Sequence, residues 1–351
     1  MKNVDYIIVG CGLAGISFCE VLKAYNKSFI VFDDASQQSS IVAAGLYNPV
    51  ILKRFSEVWK AKEQLDIALP TYAKIEEELN TQVDYQHPIY RRFSSIEEQN
   101  LWFTASDKPA LEPFLSAEII KNTNPYIDAS FGLGEVLQAG RVDTEHLISV
   151  YKKDLRDKDS IREDAFNYEA LDVSEIDCAY KDLTAKHIVF AEGYGVKKNP
   201  YFNHIPLNGT KGEVLTIKAP KLKLDTAIKS SVFIISIGDD FYKVGSTYEW
   251  TDKTNQPTEK AKEELLTKLK TFITCDFEVV EHSAGIRPTV KDRRPLVGRH
   301  QEHKHLYVLN GLGTRGVMIG PYVAKKLFNF IEKDIALDSE IDINRFKDDL
   351  P

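Results

Sequence analysis

Gly10-Cys11-Gly12-Leu13-Ala14-Gly15 sets glycines in the pattern GxGxxG directly after an apolar run, Tyr6-Ile7-Ile8-Val9. In such a turn the first glycine permits the tight reversal and the second lets backbone approach a pyrophosphate. The third allows close packing of helix on strand. The helix that follows offers free N–H groups and positive potential to phosphate. Asp33, with Asp34 beside it, ends a second apolar run, Phe29-Ile30-Val31-Phe32. A carboxylate there takes ribose hydroxyls and disfavours a 2′-phosphate, hence NADP. The turn therefore predicts a dinucleotide ligand without separating FAD from NAD. Arg287, between Gly285 and Pro288, is a planar cation on a stiff stretch, suited either to gripping a carboxylate by two parallel hydrogen bonds or to a surface salt bridge. Lys243 lies two residues before Gly245 in a strand pattern, where alternation leaves it facing inward or outward.

The elements that must position these residues begin with one βαβ unit: a strand over Val4–Val9, the glycine turn, a helix over Ile16–Tyr25 and a strand over Ser28–Asp33. Parallel strands joined by a crossover helix imply a sheet covered on both faces. A helical pattern spans Trp59–Leu79, and strands of another lobe are expected around His87-Pro88-Ile89-Tyr90. Arg141-Val142-Asp143 opens a return to a helix, and His187 to Ala191 is a further buried strand ending at Glu192-Gly193. A β-rich stretch follows at Gly212–Ile217, Val232–Ile237 and Phe241–Tyr248, then a helix over Thr258–Ile273. Leu306–Ile331 reads as strand, glycine loop and helix, with Pro321 opening that last helix.

Composition narrows the classes. The 351 residues are 43% hydrophobic, enough for a sizeable core, and the net charge is −7 with both signs mixed along the chain. An acidic chain without a basic block is a poor match for nucleic acid. Cys11, Cys19, Cys178 and Cys275 form no CxxC pair, and no His/Cys spacing suits a metal. They read as reduced, buried thiols, which predicts a cytoplasmic setting. No signal peptide and no membrane-spanning stretch is expected.

Several separated segments together resemble the D-amino-acid oxidase, glycine oxidase and sarcosine oxidase family of flavoproteins. Ser39-Ser40-Ile41-Val42-Ala43-Ala44-Gly45 resembles its Ser-rich loop ending in Ala-Gly. Arg141-Val142-Asp143 with Leu147 is similar to its Val-Asp…Leu helix start. Phe190-Ala191-Glu192-Gly193 resembles its Ala-Ala-Gly strand end, and Gly209 to Leu215 its Arg-Gly-Gln-Val-Leu strand. Ala284-Gly285-Ile286-Arg287-Pro288, followed by Asp292, Pro295 and Gly298, is similar to its Ala-Gly-Leu-Arg-Pro motif. Gly311-Leu312-Gly313-Thr314-Arg315-Gly316 completes the set. The chain departs from the pattern at Glu192, where a small residue is usual, and at Thr210-Lys211.

The resemblance implies an α/β fold: a Rossmann-like FAD-binding lobe with a parallel sheet, interleaved with a mixed or antiparallel β-sheet substrate lobe. The FAD-binding domain is expected at 1–55, 136–204 and 283–351, the substrate-binding domain at 56–135 and 205–282. It implies FAD contacts from Gly10, Cys11, Gly12, Leu13, Ala14, Gly15, Asp33, Asp34, Ala43, Ala44, Gly45, Gly193 and Gly285. Gly313, Thr314, Arg315 and Gly316 are expected at the flavin edge. Arg287 is implied as the substrate carboxylate anchor. Lys243 matches a lysine that sarcosine oxidases place near flavin N5, and it equally fits an outward strand position. No cysteine follows Arg287 where some relatives attach FAD, so the cofactor is expected to be non-covalent. The implied activity is oxidation of the C–N bond of a small amino acid or N-substituted amino acid by hydride transfer to flavin N5, with oxygen or an electron carrier as acceptor. Tyr47, Asn48, Arg54, Phe233, Tyr248, Glu249 and His282 are further pocket candidates. The oxidase half of a tRNA wobble-uridine modification enzyme and a flavin-binding protein without turnover are the alternatives. An NAD-dependent dehydrogenase is the remaining one.

Overall fold

The computed structural model describes residues 1–349; Leu350 and Pro351, which close the expected segment 283–351, lie outside the described residues. The strand Lys2–Val9 runs between two parallel partners, Phe29–Phe32 on one side and Leu183–Phe190 on the other. Tyr6, Ile7 and Ile8 are fully buried, as an unbroken apolar run in a parallel sheet requires. Beyond Phe29–Phe32 lies Ile161–Arg162. The outer edge of Leu183–Phe190 is shared: its first half pairs antiparallel with Cys178–Tyr180, its second half parallel with Leu306–Asn310.

This sheet is covered on both faces. Tyr6, Ile8, Val31 and Val189 pack under the helices Leu13–Ala24, Thr144–Asp157 and Gly316–Lys333. Ile7, Phe32 and Phe190 face an aromatic layer of Phe166, Tyr180 and Phe202. Asp143 starts the second helix as its cap, accepting the His146 N–H at 3.1 Å.

A second sheet has the strand order Glu278–Val290, Leu207–Lys218, Phe241–Gly245, Phe233–Gly238, Ala227–Lys229, Ile89–Arg92, Leu133–Val136, Leu115–Ile120. All neighbours are antiparallel except Ala227–Lys229 with Ile89–Arg92. One face, with Leu215, Ile228, Ile234 and Val244, packs on the helix Glu259–Leu269. The other, with Val214, Ala227, Phe233 and Ile235, joins the core of the first layer. The strand Glu278–Val290 crosses position 283 without a break, paired to Leu207–Lys218 with one irregularity at Thr216/Ile217. The two sheets thus meet along that strand.

The last helix corrects one expectation. It begins at Gly316, so Pro321 sits inside it rather than at its opening. Proline has no N–H to give the carbonyl four residues earlier. That carbonyl, of Val317, instead accepts the Tyr72 hydroxyl at 2.8 Å from the helix Ala61–Leu79. Tertiary packing supplies the bond the sequence removes. No described helix is long and apolar enough to cross a membrane, and no cluster of metal-ligating residues is present among the described residues.

Candidate active site

A cavity of about 480 Å³ lies where the two sheets meet. Its first wall is the glycine turn. Gly10 has φ +105, and a Cβ there would fall 2.5 Å from the Ala191 carbonyl oxygen. Gly15 packs beneath the turn rather than on the cavity, because a Cβ would stand 1.9 Å from the Gly10 oxygen. The helix Leu13–Ala24 has no side-chain cap within its own turn; Leu13 N–H reaches Ser40 Oγ at 3.3 Å. Asp33 Oδ2 accepts the Cys11 N–H at 2.6 Å, and its Oδ1 meets Lys152 Nζ at 2.6 Å. Burial and the neighbouring Asp33 push the Cys11 thiol up to about 12, so it stays a neutral packing group.

Ala43, Ala44 and Gly45 form a second stretch of wall. Gly193 leaves a third side open, since a Cβ there would meet no atom within 4 Å. Glu192 is buried beside it. It accepts from the Tyr168 hydroxyl and, at 2.7 Å, from Asn199 Nδ2, and burial raises its pKa to about 7. The departure from a small residue is therefore absorbed by a dedicated pair of donors. The far wall comes from Leu312, Gly313, Thr314 and Gly316 at the head of the last helix, which again has no side-chain cap. Arg315 is that helix's N-cap residue and does not line the cavity.

The floor is the second sheet. Arg287 lies across Gly212, where a Cβ would come within 1.8 Å of its guanidinium. Arg287 Nη1 donates to the Thr247 carbonyl at 3.1 Å, and the Tyr248 ring stacks on the guanidinium with its centroid 4.8 Å away. No acid pairs with Arg287 among the described residues, and burial holds its pKa below the usual range. A half-buried guanidinium without an anion, opening on a cavity, is poised to receive one.

The structure brings Gly10, Cys11, Gly12, Leu13, Ala14, Asp33, Asp34, Ala43, Ala44, Gly45, Gly193, Gly285, Gly313, Thr314, Gly316 and Arg287 to one cavity, with Phe233 and Tyr248. It does not bring Lys243 there. Lys243 is on the same sheet face as Val214 but one pair of residues farther along, and its ammonium lies 3.6 Å from Glu145 on the helix Thr144–Asp157. Tyr47, Asn48, Arg54, Glu249 and His282 also stay off the cavity; His282 Nε2 is 2.8 Å from Glu213 on the opposite face. Lys211 is fully buried on that opposite face, paired with Asp252 at 2.5 Å and anchoring the loop that carries Tyr248. Three lining lysines were not anticipated: Lys152, against Asp33, Lys198, at the end of the short helix Gly193–Lys198, and Lys229, at the end of the three-residue strand Ala227–Lys229. Lys152 stands one helical turn after the buried Ile148, which also lines the cavity. Nothing local marks Lys229.

Two uncapped helix starts aimed at one long cavity, glycines where a Cβ would clash or crowd, and a carboxylate at the end of the second strand fit a flavin adenine dinucleotide. Comparison with known proteins agrees. The chain belongs to the FAD dependent oxidoreductase family abbreviated DAO, whose model matches residues 5–329, and it is an FAD-dependent oxidoreductase. It is 22% identical over 344 residues to glycine oxidase of Bacillus subtilis (strain 168), covering 91% of this chain and 90% of that protein. The bifunctional tRNA 5-methylaminomethyl-2-thiouridine biosynthesis protein MnmC of Shewanella sediminis (strain HAW-EB3) is 25% identical over 178 residues, which is 40% of this chain and 25% of that one. In structure, glycine oxidase from Bacillus cereus ATCC 14579 superposes with a TM-score of 0.76 at 20% identity, over 95% of this chain and 96% of that one. The shared α/β fold with mixed sheets is thereby established.

Proposed function

We propose that the enzyme oxidises the C–N bond of a small amino acid or N-substituted amino acid, with FAD held non-covalently. The observation that carries this reading is Arg287: half-buried, without an acid partner among the described residues, stacked on Tyr248 and exposed to the cavity at the foot of the last glycine loop. Its two outer nitrogens suit a carboxylate, and the Thr247 carbonyl and the Tyr248 ring hold the fork in orientation. Phe233, Val214 and Leu46 make an apolar surround that excludes water from the reacting carbon. Held by the glycine turn and by Gly313, Thr314 and Gly316, FAD would supply the two-electron acceptor for the hydride. The chain's part is to bind the carboxylate, orient the α-carbon and accept a neutral amine. No lining residue is demanded as a base if the amine arrives unprotonated, so activity rises with pH.

On this reading residues 1–55, 136–204 and 283–351 form the FAD-binding domain and 56–135 with 205–282 the substrate-binding domain, the strand carrying Arg287 belonging to the floor of both. Oxygen or an electron carrier is the acceptor. The test is the visible spectrum of the purified protein, followed by anaerobic addition of an amino-acid panel. Loss of the yellow colour with at least one amino acid, abolished by Arg287→Ala, is the expected result. A flavin that no small amino acid bleaches points to a protein without turnover. The match to the MnmC proteins favours a second reading, oxidation of an aminoalkyl group on a modified uridine in tRNA. Bleaching by such a tRNA and by no free amino acid selects it.

A further inference from the structure

Lys229 stands in the cavity without a role in the reading above. It lines the same wall as Phe233, with its ammonium 5.4 Å from the centre of that ring. Across the sheet, Lys229 faces Phe233, Phe233 faces Gly245, and Gly245 faces Val214, so a small, apolar floor runs from Lys229 toward the strand of Gly212 over which Arg287 lies. The Lys229 carbonyl accepts from Arg91 Nη1 at 3.4 Å, but the ammonium has no hydrogen bond or ion pair among the described residues. Its charged neighbours are cations, and the acids near them are spent. Arg91, its partner on the parallel strand, is held by Glu98 at 2.6 Å, and Lys268 by Glu264 at 2.5 Å. Burial, then Arg91, Arg287 and Lys268, bring the Lys229 amine down to about 8. The carboxylates that line the cavity, Asp33, Asp34, Asp164 and Glu192, all follow strands of the first sheet, at the glycine-turn end.

Two desolvated cations on one floor, with no carboxylate between them, are costly unless a ligand brings negative charge to both. We propose that Lys229 binds a second anionic group of the substrate, so that the site takes amino or N-substituted amino acids carrying two carboxylates, one on Arg287 and one on Lys229. This rests on Arg287 as the anchor of the first carboxylate. A monocarboxylic substrate would leave the second cation unanswered. Lys229 is then the residue that selects among substrates, acting by an attraction to acidic ones and by the cost of stranding its charge against neutral ones.

The test uses the FAD-loaded protein and ligands that cannot be oxidised, followed by the change in flavin absorbance as each binds. Butyrate presents one carboxylate and glutarate two on a similar chain. Native protein is expected to bind glutarate at least about tenfold more tightly than butyrate, the least that one charge-assisted contact contributes. Lys229→Met should bring the two ligands to parity, weakening glutarate while butyrate binds as tightly as to native protein or more so, and Lys229→Arg should keep most of the preference. Lys229→Gln serves equally if the methionine variant does not hold FAD. Equal binding of both ligands by native protein overturns the proposal, as does an equal loss of both in Lys229→Met. If native protein binds neither ligand, or Arg287→Ala binds butyrate as native protein does, the carboxylate-anchor reading fails first and the role of Lys229 with it.

Discussion

Alanine at position 212 would put its Cβ 1.8 Å from one guanidinium nitrogen of Arg287 and 2.0 Å from Cζ. The atoms met are the far end of a flexible side chain, not backbone, so the sheet holds and the arginine moves. Displacing the guanidinium breaks its 3.1 Å bond to the Thr247 carbonyl and its stacking on Tyr248. The fork then no longer presents both nitrogens to a carboxylate. Each charge-assisted hydrogen bond is worth about 1.5–3 kcal/mol, and a displaced fork keeps part of one, so a loss of about 2–4 kcal/mol follows. At about 1.4 kcal/mol per tenfold, kcat/KM for the preferred amino acid falls roughly 30- to 1000-fold. FAD content and melting temperature should stay near native, since the atoms nearest an added Cβ all belong to the Arg287 side chain. Steady-state kinetics and the flavin spectrum measure both. A double-mutant cycle sharpens the assay: in an Arg287→Ala background, Gly212→Ala should cost almost nothing more. Native kcat/KM in Gly212→Ala, or losses that simply add in the double variant, would refute the account of why glycine stands there.

Gly15→Ala sets a Cβ against backbone, 1.9 Å from the Gly10 oxygen, so the turn itself must open; the variant should purify without bound FAD or melt several degrees lower, as absorbance and thermal denaturation would show. Gly193→Ala, at φ +54 with no atom within 4 Å, should cost only about 1–2 kcal/mol and keep its flavin. Tyr72→Phe removes the donor that answers the Val317 carbonyl, costing about 1–2 kcal/mol of stability, and the cost should shrink in Pro321→Ala, where the backbone regains an N–H. The Lys229 amine, at about 8 against an ordinary 10.5, makes the unfolded chain the better proton binder between those values. Stability therefore rises with pH through that window, and the penalty of the charge is present in full below pH 8. Lys229→Met should thus be more stable than native protein at pH 7, by about 1–3 kcal/mol, with the gap closing toward pH 10.5; chemical denaturation at both pH values checks it. A less stable Lys229→Met at pH 7 would contradict it.

What could be read from the sequence was whatever chemistry fixes locally. The glycine turn, Asp33 and the Ala43–Gly45 loop are short-range patterns whose geometry follows from φ at glycine and from the ends of strands, and all of them reach the cavity. Arg287 was legible because a rigid Gly-x-Arg-Pro stretch singles it out. Lys229 and Lys243 show where such reasoning stops. Both sit on the inward face of the second sheet, as alternation alone would allow. Which of them meets the cavity depends on register: Phe233 pairs with Gly245 and Lys229, placing Lys229 in the row of Val214, while Lys243 falls in the row of Thr216, against the acidic start of the helix Thr144–Asp157. Strand register is set by partners far away in sequence, here Ile89–Arg92 and Leu207–Lys218, and leaves no mark in the three residues Ala227–Lys229. The Pro321 expectation erred for a related reason. Proline suits a helix start because no helical carbonyl awaits its N–H there; inside a helix it orphans one, and Tyr72, 245 positions before Val317, satisfies that carbonyl.

The distribution of charge along the cavity follows from which sheet supplies each end. Strand ends of the parallel sheet carry Asp33, Asp34, Asp164 and Glu192, each at the carboxyl edge where the fold leaves room for ribose and phosphate. Three of these acids are managed by neighbours: Asp33 by Lys152, Asp34 by Ser36, and Glu192 by Tyr168 and Asn199. The antiparallel sheet supplies the opposite end, and its cations have no opposite charge beside them among the described residues: Arg287 has only the Thr247 carbonyl and the Tyr248 ring, and the Lys229 ammonium only the Phe233 ring. On a chain of net charge −7 a shortage of acids cannot be the cause. Positive potential left uncompensated inside a low-dielectric cavity draws in anions and steadies negative charge that develops there during reaction. A site that costs stability when empty, and recovers it only with an anionic amino acid in place, is how a fold shared by many oxidases can be made selective without altering the turn that holds the cofactor.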